Sequence, residues 1–133
     1  LVRQLEFAIT DMRLHLEYDP ENPQNPLQLL TEVRELVAVL KVPEWNRFLN
    51  GFGHIFGGGY SAGYYSYLWA EQLAADAWHR FKEEGAFNSD TGQSLRQEIL
   101  QVGASRPAMT SFIGFRGRPP DPSPLLESYG LTA

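Results

Sequence analysis

Apolar residues recur every three or four positions along most of this 133-residue chain, and this spacing constrains the fold more than any other feature. Such a period places apolar side chains on one face of an α-helix, whereas a half-buried β-strand alternates every second residue. No alternating pattern of useful length is present in the sequence. The sequence therefore predicts an all-α fold. The first two apolar stripes are Leu1, Leu5, Ile9, Met12 and Leu16, followed by Leu29, Leu30, Val33, Leu36, Val37 and Leu40.

Proline, glycine and small polar residues indicate where the predicted helices begin and end. Proline fits the first turn of a helix, glycine commonly follows the last turn, and a small polar side chain can cap the first free N–H groups. A third apolar face comprises Tyr67, Ala70, Ala74, Ala77, Trp78 and Phe81. The expected helices run from Leu1 to near Tyr18, from Pro26 to before Pro43, from Ser61 to about Glu84 with Gly85 as cap, from a cap at Ser89 or Asp90 to Gly103, from Pro107 through Phe115, and from Ser123 and Pro124 to Gly130.

The first residues of the chain indicate whether it is a whole protein or a segment of one. Residue 1 is Leu rather than Met, and the helical pattern is already running there without a capping residue before it. We expect this pattern from a segment of a longer protein. No internal repeat or low-complexity tract is evident, so residues 1–133 are expected to form a single helical segment.

Composition excludes several classes of function. Lys plus Arg total 11 and Asp plus Glu total 16, which gives a net charge of −5. An acidic chain without a basic run is poorly suited to the phosphate backbone of nucleic acids. The absence of cysteine excludes disulfides, thiolate zinc sites and cysteine nucleophiles. No uninterrupted apolar stretch approaches the roughly 18 residues that a membrane-spanning helix needs.

The histidines argue against a metal site within this chain. A His-Glu-x-x-His zinc signature needs two histidines one turn apart on a helix. The histidines here are His15, His54 and His79, so no two of them can meet on one turn. We therefore expect no metal ligand in this segment.

Two short patterns suggest other enzymes but lack the required context. The run Gly59-Tyr60-Ser61-Ala62-Gly63 fits the Gly-x-Ser-x-Gly turn of serine hydrolases, and Asp76 and His79 follow it. That turn needs a buried strand before the serine, and the acid and histidine must come from separate elements. The glycine run lacks the Lys of a phosphate-binding loop, since the next basic residue is Arg80. We set both interpretations aside.

The segment around residue 60 combines glycines with tyrosines. Tyr60, Tyr64 and Tyr67 are spaced by four and three residues, so they share a face if the helix begins early. A tyrosine hydroxyl is a proton-bearing donor at neutral pH and could bind a peptide carbonyl or an oxyanion. The alternative is a group of core aromatics with polar tips, and the pattern alone favours that simpler interpretation.

The longer run from Phe52 to Glu71, FGHIFGGGYSAGYYSYLWAE, resembles the C-terminal segment of the thimet oligopeptidase family, and most closely its bacterial oligopeptidase A branch. The resemblance continues in Phe81 to Gly85, Gly117 to Pro120 and Ser128 to Leu131, and it includes Arg3 to Ala8 and Val42 to Phe48. It therefore covers essentially the whole chain. The loop between His54 and Tyr60 is one residue longer than in mammalian members and resembles the bacterial form.

The resemblance implies a function that composition does not show. Members of this family are cytosolic zinc peptidases that cut short peptides in a deep, mostly helical channel. Their zinc ligands lie upstream, so this chain resembles the part of the catalytic domain that follows the metal site, and we expect it to be inactive alone. Its expected partners are short peptides and the upstream part of the same polypeptide, with self-association of the isolated segment through uncovered apolar surface. The alternative is a helical interaction module that has lost catalysis.

The resemblance also implies roles for particular residues. Tyr64 and Tyr67 match the family tyrosines that face the zinc and the scissile carbonyl, with Tyr67 as the first choice for the oxyanion donor. His54 and Tyr60 match residues that contact the substrate backbone. The glycines that match the flexible loop closing over the peptide are Gly57, Gly58 and Gly59.

Overall fold

The computed structural model describes residues 1–131 and contains no β-strand among them, which confirms the all-α prediction. By internal contacts the chain divides into a first unit, Leu1–Leu68, and a second unit, Trp69–Ala133. The prediction of a single segment stays a prediction. The α-helices are α1 (Val2–Glu17), α2 (Pro26–Val37), α3 (Ser66–Glu84), α4 (Ser89–Leu95), α5 (Ala108–Arg116) and α6 (Ser123–Ser128), with short 3₁₀ turns at Phe48–Gly51 and Gly53–Ile55 and a π-helical turn at Arg96–Leu100.

The first unit is built on packing between α1 and α2. The side chain of Asn25 caps α2 by accepting a hydrogen bond from the Leu27 N–H at 2.9 Å, and Pro26 occupies the first turn as predicted. The helix ends at Val37, so the predicted continuation towards Pro43 is wrong. The buried apolar residues of this unit are Ala8, Leu29, Leu30, Val33, Phe52 and Ile55.

Helix α1 has the predicted bounds but buries a different face. Leu16 is 77% exposed and Met12 is also exposed, so the predicted apolar stripe does not face inward along its length. The buried positions of α1 are instead Glu6, Ala8, Thr10 and Asp11, and none of them belongs to the stripe. The polar contacts of Asp11, described below, account for this orientation.

The second unit has its core around α5 and α6. Phe112, Phe115 and Leu125 are buried, and the ring of Phe115 lies 6.2 Å from that of Phe81. The buried residue of α3 is Asp76 rather than a member of its predicted apolar face, of which Trp78 is exposed.

The predicted cap of α4 is wrong, whereas the predicted glycines after α3 and α6 are confirmed. Asn88, not Ser89 or Asp90, caps α4, because its side-chain oxygen accepts hydrogen bonds from the backbone N–H groups of residues 90 and 91 at 2.9 and 3.2 Å. Gly85 adopts φ +110° after α3 and Gly130 adopts φ +69° after α6, as expected of helix-ending glycines.

Helix α3 starts at Ser66, five residues later than predicted. Residues 61–65 form turns instead. The Gly63 N–H donates to the Tyr60 carbonyl at 2.8 Å, and Ala62 has φ +51°, which interrupts a helix. Tyr60 and Tyr64 therefore do not lie on a helix. No helix of the described residues is both long and apolar enough to cross a membrane.

Candidate functional site

Four predicted site residues meet in the first unit: His54, Tyr60, Tyr64 and Tyr67, here termed the aromatic cluster. The rings of Tyr60 and Tyr67 stack with centroids 5.0 Å apart, and those of Tyr64 and Tyr67 are 5.1 Å apart. The His54 ring lies 5.4 Å from Tyr60 and 6.0 Å from each of the other two tyrosines. The turns before α3 thus bring together Tyr60, Tyr64 and Tyr67, which the sequence predicted to share a helix face if the helix began early, and add His54 to them.

The cluster is accessible at one side and packed at the other. Tyr67 is 39% exposed, and its hydroxyl lies 3.1 Å from His54 Nε2, within hydrogen-bonding distance. Tyr64 is half-buried, with its ring edge-on to Phe7 at 5.8 Å and to Phe52 at 5.2 Å. Packing therefore fixes the ring of Tyr64, whereas the neighbouring Tyr67 is exposed.

Both central phenols hold their protons more tightly than a free tyrosine. Burial raises the pKa of Tyr64 above its ordinary value. Hydrogen bonding with the neighbouring Tyr60 hydroxyl raises the pKa of Tyr67 most, and partial desolvation adds to the effect. A raised pKa keeps each hydroxyl protonated well beyond neutral pH. These groups can therefore act as hydrogen-bond donors throughout the physiological range.

The glycine run makes the tight turn that precedes the cluster. The Gly57 N–H donates to the Gly53 carbonyl at 2.8 Å. A Cβ atom on Gly58 would lie 2.8 Å from the His54 carbonyl oxygen, so a side chain there must displace the His54 backbone. Gly59 adopts φ +77°, which favours glycine. Gly58 and Gly59 are thus required by the turn, whereas a Cβ on Gly57 would make only an ordinary contact with the Gly53 oxygen at 3.7 Å.

Sequence reasoning missed Asp11, a fully buried residue of α1 that contacts this segment. Its two side-chain oxygens accept hydrogen bonds from the backbone N–H groups of Ala62 at 3.0 Å and Tyr64 at 2.9 Å. The partners are 51 and 53 residues away in the sequence, so no local pattern could reveal them. The one available signal was the position of Asp11 one helical turn before His15.

A second buried aspartate organises the other unit. Asp76 is fully buried and receives hydrogen bonds from Arg116 at 2.9 Å, from Arg118 at 2.6 and 2.8 Å, and from the Asp121 N–H at 2.8 Å. Burial opposes ionisation of this carboxyl, but the bonds from Arg118, the Asp121 N–H and Arg116 outweigh it and hold the pKa of Asp76 below its usual value. The network joins α3 to the segment that follows α5.

The serine-hydrolase pattern has no catalytic geometry. Ser61 Oγ donates a hydrogen bond to the Ile55 carbonyl at 2.7 Å, which stabilises the turn. Asp76 is held by arginines, and His79 Nδ1 lies 3.0 Å from Glu83 Oε1. Each of the three residues therefore has a structural partner of its own.

No metal-binding group of three or more His, Cys, Asp or Glu side chains exists among residues 1–131. His15 Nδ1 lies 2.8 Å from the Asp11 carbonyl oxygen, and His54 is next to tyrosines, which are poor zinc ligands beside imidazole and carboxylate. The described residues therefore do not fit a zinc ion.

Two cavities lie away from the aromatic cluster. One of about 680 Å³ in the first unit runs along α2 and residues 38–47. The other, of about 460 Å³, adjoins the Asp76 network and is lined by both acidic and basic side chains, among them Glu83, Arg116, Arg118 and Glu127. Neither cavity is lined by a residue of the aromatic cluster.

Comparison with known proteins gives a consistent result along the whole chain. The model of a family described as peptidase family M3 matches residues 1–131. Oligopeptidase A of Escherichia coli (strain K12) is 53% identical over 131 residues, which is 98% of this chain and 19% of that protein. The organellar oligopeptidase A of Arabidopsis thaliana is 43% identical over 99% of this chain and 17% of its own length. The dipeptidyl carboxypeptidase of Salmonella typhimurium is 37% identical over 93% of this chain and 18% of its own length. The chain thus spans 17 to 19% of the length of these relatives.

Proposed function

The chain belongs to peptidase family M3, and we propose that it provides the hydrogen-bond donors that bind the scissile carbonyl of a short peptide in a zinc-dependent oligopeptidase. The chain is part of such an oligopeptidase, and it contains no metal site within its described residues. Hydrolysis is then a property of the whole polypeptide, and this segment alone is inactive.

The observation that carries the proposal is the aromatic cluster itself. Two neutral phenols with raised pKa values stand side by side, and one of them is exposed on the accessible side. When water adds to a peptide carbonyl, negative charge develops on the carbonyl oxygen, and fixed donors stabilise that charge without reorganisation. A protonated phenol is suited to this task because it donates without carrying a charge of its own.

The residues of the cluster divide the work. Tyr67 is the main donor, because it is the exposed tyrosine of the cluster and its ring stacks on that of Tyr60. Tyr64 shares this role from its half-buried position. His54 orients the Tyr67 hydroxyl through their 3.1 Å contact, and His54 and Tyr60 bind the substrate backbone. The turn at Gly57, Gly58 and Gly59 brings His54 next to the tyrosines and closes over the peptide.

Zinc supplies the polarised water in enzymes of this class. In this chain the role of the protein is limited to donation and orientation, since no described residue is placed to hold the metal. The substrate class, short peptides, follows from the names of the relatives, which are oligopeptidases. A cytoplasmic location and self-association of the isolated segment stay predictions.

The test is Tyr67→Phe in the intact peptidase, with Tyr65→Phe as the matched control. Both variants lose one hydroxyl from the same segment, but Tyr65 lies outside the cluster. Removal of one oxyanion donor typically lowers turnover by about 100- to 1000-fold. We expect a loss of that size in kcat for Tyr67→Phe, and near-normal turnover for Tyr65→Phe. Near-normal turnover in both variants would remove Tyr67 from the mechanism.

The alternative function, a helical interaction module without catalysis, predicts a different result. An intact protein that hydrolyses no short peptide, whether or not zinc is added, would support the module. Detection of a His-Glu-x-x-His helix upstream in the full polypeptide, together with zinc-dependent hydrolysis, would exclude it.

A further inference from the structure

The turn at residues 60–65 is held in place from a distant helix by a single side chain. Asp11 has no exposed surface, and its two oxygens divide between two N–H groups, those of Ala62 and Tyr64. An acceptor that receives two backbone donors from alternate residues fixes the direction of both peptide units. The carboxyl group thus determines the backbone conformation at the point where the first helix contacts the site.

Ala62 adopts a conformation that it would not choose by itself. Its φ of +51° lies in the left-handed region, which costs a non-glycine residue roughly 1–2 kcal/mol. Such a conformation persists only where the surrounding structure enforces it. The hydrogen bond from the Ala62 N–H to Asp11 and that from the Gly63 N–H to the Tyr60 carbonyl provide the enforcement.

The backbone that Asp11 fixes leads directly to both proposed donors. Tyr64 is itself one of the two bonded residues. The Tyr64 carbonyl then accepts from the Tyr67 N–H at 3.2 Å, at the beginning of α3. The 5.1 Å separation of the Tyr64 and Tyr67 rings therefore depends on this short backbone path.

Asp11 is itself supported within its own helix. His15 Nδ1 lies 3.0 Å from Asp11 Oδ1 and 2.8 Å from the Asp11 carbonyl oxygen. The His15 ring also lies 5.7 Å from that of Phe56, which precedes the glycine run. His15 therefore restrains the carboxyl group through Oδ1, the oxygen that also accepts from the Ala62 N–H.

We propose that Asp11, supported by His15, is a positioning residue for catalysis: it holds the 60–65 turn so that the hydroxyls of Tyr64 and Tyr67 converge on one substrate oxygen. This inference rests on the proposed function. Asp11 does not touch the substrate, and its effect on turnover passes entirely through the tyrosines.

The experiment compares Asp11→Asn with Glu6→Gln in the intact peptidase. Glu6 is a matched control, because it is another buried acid of α1, and its 2.8 Å partner is Arg34 of α2 rather than the turn. Asparagine keeps the shape of Asp11 but offers an oxygen to only one of the two N–H groups. Displacement of a catalytic group by about 1 Å can cost on the order of 100-fold in rate. We therefore expect kcat to fall roughly 10- to 100-fold in Asp11→Asn with KM little changed, and both constants to be retained in Glu6→Gln.

A double-mutant cycle separates positioning from a general loss of structure. If Asp11 acts through the tyrosines, Asp11→Asn should lower kcat far less in a Tyr67→Phe background than in the wild-type background. Independent losses that multiply would contradict the proposal. So would a normal kcat in Asp11→Asn while Tyr67→Phe is impaired, and in that case the proposed function would still stand. Normal turnover in Tyr67→Phe would instead remove the proposed function.

A second variant keeps the test decisive if Asp11→Asn does not fold. His15→Ala leaves the carboxyl group in place and removes only its support, at a residue that is partly exposed. We expect a smaller fall in kcat in the same direction, again reduced in the Tyr67→Phe background. An unchanged kcat in a folded His15→Ala protein would overturn the proposal.

Discussion

Each of the two units contains a fully buried aspartate that ties its helix to a distant segment, but the partners differ. In the first unit Asp11 accepts from two backbone N–H groups of a strained turn. In the second unit Asp76 accepts from two arginine side chains and one backbone N–H. The first arrangement fixes the backbone beside an exposed cluster of donors. The second pairs the charge of Asp76 with those of Arg116 and Arg118, where α3 contacts the end of α5. A buried carboxyl group therefore restrains the segments that it contacts. The identity of its partners shows whether it positions a candidate site or stabilises the fold.

The largest expected effect is on stability in the second unit. Asp76→Ala would leave Arg116, whose side chain is 8% exposed, with one carboxylate fewer beside it. Removal of one partner from a buried ion pair typically costs about 3–5 kcal/mol. We expect the free energy of unfolding to fall by that amount in urea denaturation, with faster amide exchange in α5.

Asp11→Ala, the matched variant in the first unit, should lower the free energy of unfolding by less than Asp76→Ala does. Asp11→Ala removes the acceptor of two neutral N–H groups, but residues 60–65 are at least partly exposed, so water can replace the lost acceptor and the total cost should be only about 1–3 kcal/mol. We expect increased amide exchange in residues 60–65. A larger destabilisation by Asp11→Ala than by Asp76→Ala would break the comparison, because it would show that Asp11 is the carboxyl group that stabilises the fold.

An intermediate effect is expected at the glycine run. Gly58→Ala places a Cβ against the His54 backbone, and such overpacking costs about 1–3 kcal/mol. The strain is relieved by displacing His54, so we expect KM for peptides to rise roughly tenfold in the intact peptidase. Gly57→Ala is the matched control, because its Cβ meets only an ordinary contact at 3.7 Å. Equal KM values in the two variants would show that the position of His54 does not affect substrate binding.

The smallest and most gradual effect is the response to acid. The pKa of Asp76 is lowered in the folded chain, so its contribution to stability is present above the pKa of an unfolded aspartate, about 3.9, and is lost as the pH falls through the lower folded value. We expect exchange in α5 to increase below about pH 4. The tyrosines have raised pKa values, so their contribution is complete below about pH 10 and is lost only above it. Unchanged exchange in α5 on acidification below about pH 4 would contradict this assignment.

The sequence predicted the helices better than it predicted the turn at residues 60–65. Helices α1, α2, α5 and α6 were predicted from local spacing and from prolines and glycines at their ends, because these signals act within a few residues. The start of α3 was predicted wrongly. A hydrogen bond to Asp11, 51 residues away in the sequence, holds Ala62 in a left-handed conformation, and local spacing carries no sign of it. The orientation of α1 was wrong for the same reason. Spacing favours apolar residues in the interior, whereas here a polar one occupies it.

The candidate site shows the same limit. The resemblance to a family identified Tyr64, Tyr67, His54 and Tyr60, and the structure places these four together. Their catalytic roles stay predictions. Asp11 carries no motif and became visible only through its contacts, which local sequence does not encode.

The most direct measurement of the central claim uses a phosphinic peptide, whose tetrahedral, negatively charged group imitates the intermediate of peptide hydrolysis. An interaction made only in the transition state affects such an analogue more than it affects the substrate. In the intact peptidase, Tyr67→Phe should weaken inhibition by the phosphinic peptide by the same factor, about 100- to 1000-fold, as it lowers kcat/KM, with little change in the binding of an uncleaved peptide. An unchanged inhibition constant in Tyr67→Phe would contradict the account.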